Sequence, residues 1–123
     1  MQKRMSPLVQ YRKCAETCSK IDYGKKATVR ANNRAVDKMY KIVYEAVRQG
    51  QSAIDELSTL LDEPLSGPWL AHQLLEKAAV SPEIERKCLS IIWKLATQEN
   101  GKLGQQMGEK MWLKKWYEKK PSG

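Results

Sequence analysis

Between Leu57 and Leu75 two runs of apolar residues at helical spacing meet across a connector that holds Pro64, Gly67 and Pro68. Proline cannot extend a helix through its missing N–H, and glycine marks a turn, so the segment predicts one helix, a tight turn and a second helix running back against the first. A chain that doubles back in this way folds as packed helix pairs. The remaining segments repeat the arrangement.

Ser6-Pro7 offers an N-cap followed by proline at the first helical position, and Leu8, Tyr11, Ala15, Cys18 and Ile21 then keep a helical period, which predicts a first helix ending near Asp22 to Gly24. From about Thr28 the positions Val36, Met39, Tyr40, Val43, Ala46 and Val47 predict one long amphipathic helix stopped by Gly50. A short third helix carries Ala53, Ile54, Leu57, Leu60 and Leu61 after Ser52 as cap, and stops before Pro64. The fourth, with Trp69, Leu70, Ala71, Leu74, Leu75 and Ala78, is apolar over a broad face and is placed at the centre. Ser81-Pro82-Glu83 repeats the start signal of Ser6-Pro7 and opens a fifth helix with Ile84, Cys88, Ile91, Ile92, Leu95 and Ala96. Asn100-Gly101 breaks it, and a sixth runs from about Leu103 to Lys119 with Met107, Met111, Trp112, Leu113 and Trp116, ending in Lys119-Lys120-Pro121. No segment alternates with period two, so the expected class is all-α. About six antiparallel helices in pairs suit a HEAT-like α-solenoid or an irregular bundle, and the Asp62-Glu63-Pro64 turn before an apolar helix favours the solenoid.

The chain has 123 residues, 41% of them apolar, which is one domain's worth of core over residues 1–123. No run reaches the ~18 apolar residues of a membrane span, and Met1-Gln2-Lys3-Arg4 leads into no apolar segment of a secretion signal. Three cysteines, Cys14, Cys18 and Cys88, fit no disulfide framework. Together these predict a cytoplasmic protein with reduced thiols and no membrane partner.

Charge is unevenly spread along the chain. The total of +8 divides into twelve basic and four acidic residues over 1–50, one basic and five acidic over 51–80, and nine basic and five acidic over 81–123. Arg30, Arg34, Lys38, Lys41 and Arg48 recur at four, four, three and seven residues, so they share one face of the second helix opposite Val36, Val43 and Val47. Such a ridge suits a phosphate backbone or an acidic protein surface; its other reading is a solvated face with Asp37 pairing to Lys41. The acids Asp55, Glu56, Asp62, Glu63 and Glu76 gather in the middle of the chain, where they would mimic phosphates in a nuclease cleft.

Catalytic constellations are thinly supplied. His72 is the sole histidine; Asp62, Cys14 or Cys88 would have to approach it for nucleophilic chemistry, whereas on the fourth helix it more readily caps or bonds a backbone carbonyl. Cys14 and Cys18 share a helix face, yet a zinc site needs two further ligands, so all three cysteines read as small buried apolar side chains. Gly101 and Gly104 form no phosphate loop, and although Glu83, Glu85 and Glu99 could supply an acid–base pair, acids at a helix start serve the dipole first. Trp112, Trp116 and Tyr117 among Lys114, Lys115, Lys119 and Lys120 would stack on bases or anchor a partner, or cover the last core layer at their i, i+4 spacing. The expectation is a non-enzyme with no cofactor and no metal.

Five pieces in order carry a family likeness over residues 28–117: Ala31-Asn32-Asn33-Arg34-Ala35 with Asp37, Met39 and Tyr40; Gly50, Ala53, Leu57, Leu60 and Leu61; Pro64, Trp69, Ala71, His72, Leu74 and Leu75; Gly101, Leu103 and Gly104; and Leu113 with Trp116. In these the chain resembles a small bacterial HEAT-like-repeat family catalogued as a domain of unknown function. It departs from that pattern at Ser66-Gly67-Pro68, where such members carry Val-Arg after an Asp-Pro. The resemblance implies a helical-repeat fold without catalytic residues. It also implies a protein-binding role, most concretely an immunity protein (antitoxin) that binds and occludes a cognate, possibly secreted, bacterial toxin domain. Nucleic-acid binding through the second-helix ridge is the alternative partner.

Overall fold

The computed structural model describes residues 6–97 and 103–119, and the described residues form helices with no strand. They are α1 (Pro7–Ser19), α2 (Lys26–Gln49), α3 (Gln51–Ser58) continued by a 3-10 turn (Thr59–Asp62), α4 (Ser66–Lys77), α5 (Pro82–Thr97) and α6 (Leu103–Lys119). The expected break at Asn100-Gly101, Glu99, and the terminal Lys120-Pro121 lie outside the described residues. No described helix is long and apolar enough to cross a membrane.

Both Ser-Pro start signals work as read. The Ser6 hydroxyl accepts the Val9 amide at 3.3 Å with Pro7 at the first helical position, and the Ser81 hydroxyl accepts the Ile84 amide at the same distance. α1 ends earlier than expected, at Ser19, because Asp22 is used to build the connector: its carboxylate accepts the Gly24 amide at 2.9 Å. Thr28 closes that connector, donating to the Asp22 carbonyl at 2.7 Å. Gly50 stops α2 as predicted, at φ 110°, a left-handed value that glycine adopts freely. The same residue starts α3, so Ser52 lies inside the helix and makes no cap.

α4 holds the centre. It packs on α1, α2, the 3-10 turn and α5, while α1 lies along α2 and α5 along α6. Its Leu70 and Leu74 join Tyr11, Met39, Leu57, Leu60 and Ile92 among the fully buried side chains. Burial at about 25 cal/mol per Å² of apolar surface makes this cluster the main stabilising term. The apolar faces differ from expectation on three helices. Trp69 sits at the rim of α4 rather than in its core, Val47 is exposed at the edge of the α2 stripe, and Met107 and Met111 point away from the core on α6. Trp69 and Val47 lie at the margins of their apolar arcs, where helical spacing alone does not say how far the neighbouring helix reaches, whereas Met107 and Met111 lie on the face of α6 opposite Leu113 and Trp116.

Cys14, Cys18 and Cys88 are all buried. Burial raises each thiol pKa, that of Cys88 to about 12, and the nearby Lys38 ammonium only partly offsets this at Cys14. The three behave as small apolar side chains.

Candidate interaction surface

The five basic residues singled out on α2 are all exposed and lie along one outward face. Arg48 is held by Glu45 at 3.0 Å, one turn back. Arg30, Arg34, Lys38 and Lys41 have no ion-pair partner among the described residues, and the expected pairing of Asp37 with Lys41 is not formed. These four cations run along roughly 16 Å of helix, taking 1.5 Å per residue, with Asp37 the one acid among them in sequence.

This ridge borders a groove. Between the start of α1, the middle of α2, and α3 lies a cavity of about 360 Å³ whose walls include Leu8, Ile42, Ala46, Ala53 and Leu57, with Lys38 and Lys41 on its rim. Glu45 and Glu56 complete the rim. Glu45 is engaged by Arg48, which leaves Lys38 and Lys41 against Glu56 alone. A second, shallower hollow continues the ridge between α1 and α2, past Lys13, Thr17, Ala31, Arg34 and Lys38.

The acidic set does not form one surface. Glu63 takes a forked contact from Arg12 of α1, with its closest approach at 2.7 Å, and Asp62 pairs with Lys87 of α5 at 2.9 Å. Asp55 accepts from Gln51 Nε2 at 2.8 Å. Glu76 lies under aromatic donors, accepting Trp112 Nε1–H at 3.0 Å and Tyr40 O–H at 3.3 Å. Asp55 and Asp62 share a hollow with Glu83 and Lys87, while Glu56 faces the basic groove on the other side of α3. Adjacent positions on a helix point to different faces, so a run of acids in sequence disperses in space.

His72 has a partner that the sequence did not suggest. Its Nε2 lies 2.7 Å from Glu109 Oε2 on α6, with both side chains largely buried, and the ring stands edge-on to Trp112 at 4.5 Å between centroids. It bonds a carboxylate rather than the backbone carbonyl expected of it. Trp112 stacks on Trp116 at 5.6 Å, and both pack against the core, which is the covering role read from their spacing. Tyr117 instead turns outward to Trp93. Among the described residues no group of three His, Cys, Asp or Glu side chains is gathered that could hold a metal ion.

The arrangement therefore offers binding chemistry: a row of free cations beside an apolar hollow. No family model, no curated protein and no solved structure matches this chain.

Proposed function

We propose that the protein is a non-enzymatic protein-binding module of HEAT-like α-solenoid build, working in the cytoplasm as an immunity protein that occludes a cognate bacterial toxin. The observation that carries this reading is the α1–α2–α3 groove, apolar on its walls and edged by the unpaired Lys38 and Lys41. Protein interfaces combine an apolar centre with a polar rim in this way, and a flat phosphate backbone would leave such a hollow unfilled. Pairwise packing of α1 on α2, α4 on α5 and α5 on α6 supports the stacked architecture, and three buried free thiols suit a reducing compartment. The docking face is the groove with its ridge, since Asp62, Glu63 and Glu76 are occupied by Lys87, Arg12, Tyr40 and Trp112 and are not free to mimic phosphates.

Co-purification with the product of the neighbouring gene tests the reading. The wild-type chain is expected to hold that product and protect cells from it, and Lys38→Glu/Lys41→Glu is expected to weaken the complex roughly a hundredfold while the circular dichroism stays unchanged. Undiminished protection by the charge-reversed variant, or no complex with the wild type, would count against it.

The run of four free cations supports nucleic-acid binding as a second reading. It predicts an affinity for duplex DNA that falls with salt at a log–log slope of about −3 to −4, close to 0.9 per phosphate neutralised. Fluorescence anisotropy between about 50 and 200 mM salt checks it, and a flat response argues for the protein partner.

A further inference from the structure

α6 is apolar on two sides. Its inner side supplies Leu113, Trp112 and Trp116 to the core. Its outer side leaves Met107 56%, Met111 59% and Tyr117 49% exposed, and α5 adds Trp93 at 45%. Met107, Met111 and Tyr117 recur with Lys110 and Lys114 at three- and four-residue steps, so the five form one outward stripe. Trp93 joins that stripe directly: its Nε1–H points to the Tyr117 hydroxyl at 3.4 Å, and the two rings flank a small hollow of about 210 Å³ shared with Lys110, Lys114 and the buried Leu113.

A helix at the margin of a helical stack ordinarily turns polar residues outward; one that is apolar on both sides is placed to be covered. α6 has α5 along its inner side, where α4 also reaches it through His72 and Glu76, and its outer side stands exposed at Met107, Met111 and Tyr117. Two features of the stripe fix the kind of cover. Methionine adapts its shape to an apolar partner, and tryptophan and tyrosine are the residues that most often anchor a protein interface. The charges within the stripe are the ammonium groups of Lys110 and Lys114, with Glu118 only at its far end, so the complementary surface is acidic.

We propose that this α6–Trp93 face docks an acidic amphipathic helix of a partner protein, its apolar side chains on Met107, Met111 and the Trp93–Tyr117 hollow and its carboxylates on Lys110 and Lys114. The helix lies along α6 as a further layer of the stack, a helix-on-groove contact. The face is separate from the α2 groove and does not depend on what that groove binds.

Two labelled, end-capped peptides of three heptads test it, sharing one leucine face and carrying either glutamates or lysines beside it. At ~150 mM salt the glutamate peptide is expected to bind at least about tenfold more tightly than the lysine peptide. Lys110→Glu/Lys114→Glu is expected to reverse that preference, and Met111→Glu to abolish binding of both. All three positions are exposed, so circular dichroism should remain that of the wild type. Lys38→Glu/Lys41→Glu is expected to leave peptide binding untouched, which separates this face from the α2 groove. The proposal fails if neither peptide binds, if both bind equally, or if Met111→Glu has no effect. It fails equally if the stripe is covered otherwise: by a second copy, seen as self-association that Met111→Glu relieves, or by anionic vesicles that compete for the same residues.

Discussion

Gly67→Ala is expected to destabilise the protein by about 1–3 kcal/mol and to lower its Tm by several degrees, although the substitution improves intrinsic helix propensity. Gly67 lies in the first turn of α4, buried where the chain returns from the 3-10 turn, and its amide donates to the Glu63 carbonyl at 2.8 Å. A Cβ placed there would fall on the backbone carbonyl of Leu61. That obstacle is main chain of the 3-10 turn, anchored by the buried Leu60 and Leu61 side chains, so it cannot swing aside as a flexible side chain would. Propensity favours alanine by about 1 kcal/mol, and overlap with fixed backbone outweighs it. Gly108 supplies the contrast. In α6 a Cβ at that position meets nothing within 4 Å, so Gly108→Ala is expected to stabilise by about 0.5–1 kcal/mol. Thermal and urea unfolding of the two variants side by side decide it; a rise in Tm for both would mean that the close seating of α4 on Leu61 is wrong.

The same segment shows what could be read from residue order. Pro64, Gly67 and Pro68 announced a return of the chain, and the Ser-Pro pairs at 6–7 and 81–82 announced two helix starts, because caps and breakers act on backbone within a few residues of themselves. The α2 ridge was legible for a similar reason: helical spacing fixes which residues share an outward face, and the four free cations do share one. Spacing along one helix carries no record of which helix lies opposite. Glu109, 37 residues from His72, could therefore not be matched with it, nor Arg12 with Glu63 across 51. The acids form no single patch because Asp62, Glu63 and Glu76 are partners of cations and aromatic donors brought in by α1, α2, α5 and α6, while Asp55 and Glu56 point to different sides of α3. The groove beside Lys38 and Lys41 was hidden likewise, since its walls come from three helices.

A buried hydrogen bond that ties α1 to α4 supplies the second large effect. Tyr11 and Gln73 are both essentially inaccessible, and the phenol donates to Gln73 Oε1 at 2.7 Å. Gln73 Nε2 has no partner among the described residues, so the amide already carries part of its desolvation cost uncompensated. Tyr11→Phe leaves both amide atoms unmet and is expected to cost about 1–3 kcal/mol. Gln73→Leu strands the phenol but removes the unmet Nε2, so its cost should be smaller. Tyr11→Phe/Gln73→Leu replaces both polar groups with apolar ones of similar size, and its stability is expected to return to that of the wild type or above, because no buried polar atom of the pair then lacks a partner. Urea midpoints for the four proteins complete the cycle, and strictly additive losses would show that the two groups act independently. Alkaline titration gives the same bond a second readout. Burial, with Tyr40 and the two α1 cysteines adding to it, raises the Tyr11 phenol well above its ordinary pKa of 10.0. The unfolded chain gives up that proton near pH 10 while the folded one retains it, so this contribution is complete below pH 10 and declines as pH rises beyond it. Tyr11→Phe should remove that part of the alkaline decline, leaving the part due to the buried thiols. Since Tyr11 fixes α1 against α4, and α1 supplies Leu8 to the groove, loosening this bond is also expected to weaken binding at Lys38 and Lys41 without touching either lysine.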